Sequence, residues 1–521
     1  MNRVEMWSRV RARAKSWDMI VVGGGATGVG VAIDAAARGY EVLLLEQSDF
    51  GKGTSSRSTK LAHGGVRYLG QGNIALVLDA LKERGLMLEN APHIVHDLAF
   101  VVPNYDWWEA AFYGLGLKLY QLLAGKYGLR ATRILSREET LGFLPTLKRE
   151  GLRGGAVYYD GQFDDARLLI HMVATAHEQG AILLNYAEVS AVTKNSAGVV
   201  DGVQARDAET GEEFHAGAKV VINATGAFSD RLRLKAESDA SPMIAPSQGI
   251  HVVLEGAFLT GESAIMVPQT KDGRVLFAIP WHGYTLVGTT DTAIQDVPLE
   301  PVATEEEIDF VLSTAGEYLT RVPTRDDVLS VFAGVRPLVR TGEGAVTSAL
   351  SRDHVVQVGR AGLVSVMGGK WTTYRRMAED CVDQAASTAR LPQRACTTPG
   401  LHIHGFHREA AQFGHLAVYG SDAVEIRRLI EGDPALGERL HPSLPYVKAE
   451  VVWATRHEMA RTVEDVLARR TRALFLNARV ALEMAPAVAE LMARDLGWNE
   501  SVKTEQIAAF HNVAKNYTVG K

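Results

Sequence analysis

The chain has 521 residues, 46% of them hydrophobic and 22% charged, the balance of an ordinary globular protein but too much chain for one compact core, so about two or three domains are expected. A net charge of -6 argues against nucleic-acid binding driven by bulk positive charge; an anionic ligand would need a local cluster of arginine or lysine. Only Cys381 and Cys396 are present, too few for a disulfide framework or a four-thiolate zinc site and in keeping with a reducing cytoplasm.

Residues 1–17 form a basic extension in which Arg3, Arg9, Arg11, Arg13 and Lys15 are mixed with Trp7 and Trp17. It lacks the apolar core of a signal peptide. It reads equally as a solvated helix or as a segment lying on an anionic membrane surface. Next come an apolar strand (Met19 to Val22), the turn Gly23-x-Gly25-x-x-Gly28, a helical segment (Val29 to Arg38) and a second strand (Glu41 to Leu45) that ends at Glu46. This is a dinucleotide grip: Gly23 permits the tight turn, Gly25 lets amides approach a pyrophosphate, and Gly28 lets helix and strand pack closely. The helix N-terminus favours the pyrophosphate charge, and Glu46 is placed to accept hydrogen bonds from an adenosine ribose. The motif's position at the start of a long chain favours FAD over NAD, although the glycines alone do not choose between them.

The stretch from Trp107 to Leu123 carries Phe112, Tyr113, Leu115, Leu117, Leu119, Tyr120 and Leu122, interrupted only by short polar breaks. No window reaches the ~20 apolar residues needed to span a bilayer. Core packing is the default reading, and an interfacial helix is the alternative. Asp165 to Gln179 reads as helix, Ala181 to Val192 as extended, and Gly198 to His215 as a hairpin turning near Glu209-Thr210-Gly211. The apolar strand from Ala218 ends in a small-residue turn at Gly226. Segments such as 252–254, 275–279 and 284–289 suggest an antiparallel sheet, while 447–471 and 474–494 show helical spacing.

The second strong element is Thr54-Ser-Ser-x-Ser-x-Lys60-Leu-x-His63-Gly-Gly-x-Arg67-Tyr-Leu69, directly after the dinucleotide acid. Thr54, Ser55 and Ser56 offer hydroxyls and amides to phosphate or flavin oxygens, Lys60 and Arg67 add positive charge, and Gly64-Gly65 allows backbone to approach a ring. Further blocks follow: Ala156 to Arg167, Pro246-Ser-Gln-Gly-Ile-His251, Asp272 to Trp281, Gly288-Thr-Thr-Asp291, Gly334-Val-Arg-Pro-Leu338, Ser351-Arg-Asp-His354, Gly368-Gly-Lys-Trp-Thr-Thr-Tyr-Arg375 and Glu464 to Thr471. In their order and combination these resemble the FAD-dependent, quinone-linked glycerol-3-phosphate dehydrogenases. The departures are small: Ala62 stands where the family usually has an aliphatic residue such as Ile, and the Arg-rich N-terminus is an extension.

The resemblance implies an α/β fold: a Rossmann-like FAD-binding domain of the glycine-oxidase type, an inserted antiparallel-sheet substrate domain and a C-terminal helical domain. The expected division is 18–90, 150–235 and 355–395 for FAD, 91–149 and 236–354 for the substrate cap, and 400–521 for the helical domain. It also implies oxidation of sn-glycerol 3-phosphate to dihydroxyacetone phosphate, with hydride passing to FAD and electrons to a membrane quinone. The cofactor contacts expected are Gly23, Gly25, Gly28, Glu46, Thr54, Ser55, Ser56, Lys60, His63, Gly64, Gly226 and Gly369. Arg67, Tyr68, Arg336, Arg352 and Lys370 are assigned to the substrate side, where arginine can grip phosphate as a planar fork and lysine as a point charge. Arg336 and Lys370 also count as catalytic, since positive charge near flavin N1 stabilises the reduced anion. His251 is the favoured base, because imidazole titrates near working pH, with His63 as its rival.

No metal is expected. His402-Ile-His404-x-x-His407 has metal-like spacing but no accompanying cysteine or carboxylate cluster. A glycerol-3-phosphate oxidase that passes electrons to oxygen would share all these motifs, whereas a non-catalytic flavin-binding module would be marked by loss of the Arg67, Arg336, Arg352 and Lys370 cluster, and all four are present. The expected location is cytoplasmic, peripheral on the inner face of the cell membrane. The sequence is compatible with both a monomer and a homodimer.

Overall fold

The computed structural model describes residues 1–66, 69, 73–106, 109–268, 270, 275–340 and 353–520, with the backbone alone at 109–112. Arg67, Tyr68 and Arg352, all assigned above to the substrate, and the pair Trp107-Trp108 lie outside the described residues.

The first sheet grows around two short, largely apolar strands, Trp17–Val22 and Val42–Leu45. Trp17–Val22 pairs in parallel with Val42–Leu45 on one side and Glu213–Asn223 on the other. Ile182–Leu184 and Val364–Gly368 extend it, also in parallel, and His354–Val358 closes one edge antiparallel. Strands buried on both faces need continuous apolar runs, which is why Val-Val and Leu-Leu-Leu stand where they do. Helix Ala26–Ala37 packs against this sheet. Gly23 has φ +111°, and a Cβ on Gly28 would stand 1.9 Å from the Gly23 carbonyl oxygen. Both positions therefore exclude every side chain.

The second sheet is mostly antiparallel and runs in the order Thr292–Ala293, Ile244–Glu255, Tyr284–Gly288, Leu276–Trp281, Ser263–Val267, Val95–Asn104, Gly154–Phe163, Leu61–Ala62. Ser330–Val339 lies along Ile244–Glu255, and Arg133–Ser136 along Gly154–Phe163. Strand Gly154–Phe163 thus belongs to this sheet, although the sequence groups residues from 150 onward with the nucleotide domain. Its partner Val95–Asn104 supplies a ten-residue ladder that outweighs its nearness in sequence to the following helix. The loop between Glu46 and Leu61 links the two sheets.

Two terminal regions differ from the sequence reading. The N-terminal extension folds as helix Arg3–Arg11, which buries Met6, Trp7 and Val10 and packs Trp7 edge-on against Phe214. Arg3 is buried and donates to Asp207 and to the Asn185 carbonyl. The helix thus packs one face onto the protein through Met6, Trp7 and Val10 and leaves Val4, Arg9 and Arg11 exposed on the other. At the other end, residues 447–471 form two pieces rather than one helix: Lys448–His457, a break at Met459 (φ +56°), and the π-helical turn Asp465–Arg470. The wide turn brings the adjacent Arg469 and Arg470 together onto buried Asp49, while Arg472 (φ +58°) reaches Asp164 at 2.7 Å. Helices Ala478–Leu496 and Glu500–Ala514 complete this region.

His404 is held between Glu178 at 2.5 Å and Asp422 at 2.8 Å, and His402 stacks on Phe406. Burial pushes the His404 pKa down, but Asp422 and Glu178 pull it up to about 10. A raised pKa means that its ion pairs stabilise the fold fully below the unfolded value of about 6.5 and are lost as the pH rises. We expect wild-type resistance to urea to fall between pH about 7 and about 10. His404→Gln should be less stable than wild type at the lower pH and should show a much shallower decline, as measured by urea unfolding at both ends of the range.

Candidate active site

Three cavities share walls across the junction of the two sheets. The first, about 370 Å³, is lined by Gly23, Gly25, Glu46, Thr54, Ser55, Gly226, Gly369, Lys370 and Trp371. The second, about 230 Å³, shares Thr54, Gly369, Lys370 and Trp371 with it and adds Thr59, His63, Gly249, His251 and Arg336. A third, about 210 Å³, shares Thr59, His63, Phe277 and Arg336 with the second and continues between Phe100, Tyr158, Met266 and Val275.

The first cavity fits a dinucleotide. The helix Ala26–Ala37 begins at Gly25 with no side-chain cap, and a Cβ at Gly25 would meet Ser55 Oγ at 3.0 Å. The Ala26 amide donates to Ser55 Oγ at 2.9 Å, and Trp371 Nε1 donates to the Ser55 carbonyl at 2.8 Å. Glu46 accepts from the amides of Gly24 (2.6 Å) and Ser48 (2.9 Å), which fixes its carboxylate at the cavity edge with one contact per oxygen and lone pairs to spare for a ribose. Burial pushes its pKa up and these two amides counter it. Gly226 (φ +58°) and Gly369 (φ +75°) line the opposite wall.

Four expected cofactor contacts are placed otherwise. Lys60 is buried, and its ammonium donates to both oxygens of Asp165 and to the Ser56 carbonyl, each at 2.8 Å. Its left-handed backbone (φ +63°) turns the side chain into the core among the rings of Trp281, Phe332 and Phe475. Ser56 is buried and lines neither the first cavity nor the second. Gly64 donates its amide to Tyr120 Oη at 2.7 Å and lies against Leu81. His63 lines the second and third cavities rather than the dinucleotide cradle, with its amide on Thr372 Oγ1 at 3.2 Å.

Arg336 and Lys370 are brought together on the second cavity. Arg336 stands on strand Ser330–Val339, donates to Thr289 Oγ1 at 3.1 Å and lies 3.6 Å from Asp291, which also accepts from Ser247. A Cβ on Gly249 would strike the Arg336 guanidinium at 2.4 Å, so glycine there is what lets the fork lie flat across the strand. Arg57, a further cation on this wall, is engaged by Glu300 at 2.7 Å.

His251 lies on strand Ile244–Glu255 opposite Gly288, and a Cβ on Gly288 would meet its ring at 2.3 Å. The imidazole is 2% exposed and stacks on Phe332 at 5.0 Å between centroids. Its Nε2 lies 2.9 Å from Thr59 Oγ1. Burial first, then Lys60 and Arg336, hold its pKa well below the ordinary value, so the ring is neutral at physiological pH. Sequence reasoning passed over Thr59, a position that the Thr54-to-Leu69 motif leaves unspecified. It also passed over Asp291 as the partner of Arg336, although the Gly288-to-Asp291 block flagged the place.

The two-sheet framework, the glycine cradle and the placement of Glu46 define an FAD-dependent oxidoreductase, and the family model described as FAD dependent oxidoreductase matches residues 18–375. A second, the C-terminal domain of alpha-glycerophosphate oxidase, matches residues 363–503. The chain is 41% identical to the human mitochondrial glycerol-3-phosphate dehydrogenase over 94% of its own length and 72% of the relative's. It is 40% identical to a probable mitochondrial glycerol-3-phosphate dehydrogenase of Caenorhabditis elegans, over 95% and 73%. The crystal structure of the glycerol-3-phosphate dehydrogenase from Bacillus halodurans complexed with FAD superposes with a TM-score of 0.80 at 31% identity, covering 99% of this chain and 97% of that one. The chain belongs to the FAD-dependent glycerol-3-phosphate dehydrogenase family, and its cofactor is FAD.

Because a methyl group at Gly28 cannot coexist with the Gly23 carbonyl, Gly28→Ala should yield protein whose flavin absorbance is reduced about tenfold or more relative to wild type at equal concentration, a loss of roughly 1.4 kcal/mol or more in cofactor affinity. Normal flavin content in this variant would contradict the assigned cradle.

Proposed function

We propose that the protein oxidises sn-glycerol 3-phosphate to dihydroxyacetone phosphate. The observation that carries this reading is the convergence of Arg336 and Lys370 on one cavity of about 230 Å³, which opens from the flavin cradle and has His251 in its wall. Arg336 binds the phosphate as a fork held in place by Asp291 and Thr289, and Lys370 adds a point charge between phosphate and cofactor. Bound FAD supplies the hydride acceptor. The chain's own work is to hold the carbinol carbon toward the cofactor, to exclude water and to take the hydroxyl proton, for which neutral His251 is the acceptor.

For the electron acceptor we favour a membrane quinone over oxygen. Two features support it. One wall of the third cavity, formed by Phe100, Tyr158, Met266, Val275 and Phe277, is apolar and suited to a hydrophobic acceptor, while Asp160, Asp291 and Arg336 make the remainder polar. Helix Glu109–Leu123 buries Leu117 and Tyr120 yet leaves Leu115 and Leu122 about three-quarters exposed. Lys118, Lys126, Arg130 and Arg133 are exposed close by in sequence. Exposed apolar side chains with cations close by in sequence suit an anionic lipid surface, which supports a peripheral position at the inner face of the cell membrane. Among the described residues no helix is long and apolar enough to cross a membrane.

Anaerobic addition of glycerol 3-phosphate should bleach the flavin, with unphosphorylated glycerol much less effective. Arg336→Ala and Lys370→Ala should keep FAD while kcat/KM falls about 10–100-fold, the loss of a charge-assisted contact of roughly 1.5–3 kcal/mol; unchanged kinetics in both would remove them from the site. A quinone analogue should reoxidise the enzyme faster than air, with little peroxide formed. In a separate measurement, the double variant Leu115→Glu, Leu122→Glu should lose sedimentation with anionic vesicles while retaining wild-type rates with a soluble acceptor.

A further inference from the structure

His251 is 2% exposed, its Nε2 is 2.9 Å from Thr59 Oγ1, and its Nδ1 is buried with no hydrogen-bond partner among the described residues. Thr59, by contrast, is partly exposed and lines both the second and third cavities. A substrate hydroxyl in the second cavity therefore has the threonine hydroxyl between it and the ring nitrogen that could take its proton.

We propose that Thr59 is a catalytic residue of this reaction, its hydroxyl relaying the proton of the substrate alcohol to His251. This rests on the assignment of the second cavity to the alcohol. In the resting enzyme the Thr59 hydroxyl donates to Nε2, and its free lone pairs face the cavity, where they accept the hydrogen bond of the substrate O–H. As the electron pair of the carbinol C–H leaves as hydride to the flavin, the substrate O–H bond breaks and a new bond forms to Thr59 Oγ1. The proton originally on Oγ1 passes to Nε2, and the carbinol carbon becomes a carbonyl. One proton enters the threonine and one leaves it, so the residue is unchanged.

The surroundings fit this role. Phe332 stacks on the ring and Gly288 abuts it, so the imidazole cannot swing toward the substrate. Thr59 sits between Ser58, which donates to Asp165, and Lys60, which does the same, so the hydroxyl is carried on backbone anchored at both neighbours. Lys60 and Arg336 also flank the imidazole electrostatically, which makes an imidazolium short-lived. With Nδ1 offering no exit, the proton returns to the cavity through the same hydroxyl once the product has left.

The test compares Thr59→Val, which keeps the shape and removes the hydroxyl, with Thr59→Ser, which keeps the hydroxyl. Both are studied as FAD-loaded protein. The expected result is a kcat about 100-fold lower in Thr59→Val with KM changed by less than about threefold, and recovery to within about threefold of wild type in Thr59→Ser. A second readout needs no turnover: in histidine-labelled, substrate-free wild-type enzyme, the nitrogen-15 signal of His251, assigned by its loss in His251→Gln, should show Nε2 unprotonated. Equal losses in the two variants, a Thr59→Val rate close to wild type, or an Nε2 that carries the proton would each overturn the relay. If wild type itself fails to bleach with glycerol 3-phosphate, the substrate assignment fails, and the resonance of His251 still decides the hydrogen-bond direction.

Discussion

One buried cation holds the site together. The Lys60 ammonium is sealed from water among Trp281, Phe332 and Phe475 and bonded to Asp165. Those partners come from every part of the chain: Asp165 heads the helix behind the first sheet, Trp281 and Phe332 belong to the second sheet, and Phe475 lies in the C-terminal region. Taking a charge out of water costs several kcal/mol, which only a complete set of partners offsets. The loop from Gly53 to Gly65 is therefore fixed only when all three regions have docked, and this loop carries Thr54 and Ser55 to the first cavity and Thr59 and His63 to the second.

The same logic recurs along the seam with the C-terminal region. Asp49 takes Arg469 and Arg470, Asp164 takes Arg472, and Glu458 reaches back to Arg167, all of them buried. Apolar side chains could fill this volume at lower desolvation cost, but they would tolerate sliding. Charges must meet their partners, so the seam sets the position of helix Asp165–Glu178, and hence of Asp165, against Lys60. The helical region thus acts on the site through register, at a distance from the cavities themselves.

The cradle was the most legible part of the site because its demands are local. The strand, Gly23 to Gly28, the helix and Glu46 follow one another in sequence, and each glycine answers a steric need within a few residues. Lys60 was misread for the opposite reason. In sequence it stands among hydroxyl residues beside the cradle, whereas its direction is decided by a left-handed backbone and by Asp165, more than a hundred positions away. Thr59 was invisible because its role depends on His251, which reaches it from another sheet. The break in 447–471 escaped notice because helical spacing records which residues are buried, and Arg469, Arg470 and Arg472 are buried as ion pairs rather than as an apolar stripe.

The electrostatics also bear on why a phosphorylated alcohol suits this cavity better than glycerol itself. In the free enzyme burial, and after it the cations Lys60 and Arg336, hold His251 neutral and weakly basic. Lys60 is matched by Asp165, and Arg336 lies 3.6 Å from Asp291. On the reading proposed above, a dianionic phosphate on Arg336 would offset that charge and add attraction for a proton on the ring, in a buried setting where screening is weak. Phosphate binding then raises the basicity of His251 in the same step that positions the carbinol. Glycerol loses both effects, so its deficit falls on the chemical step as well as on affinity, as expected when binding energy from a remote group is expressed at the reacting centre.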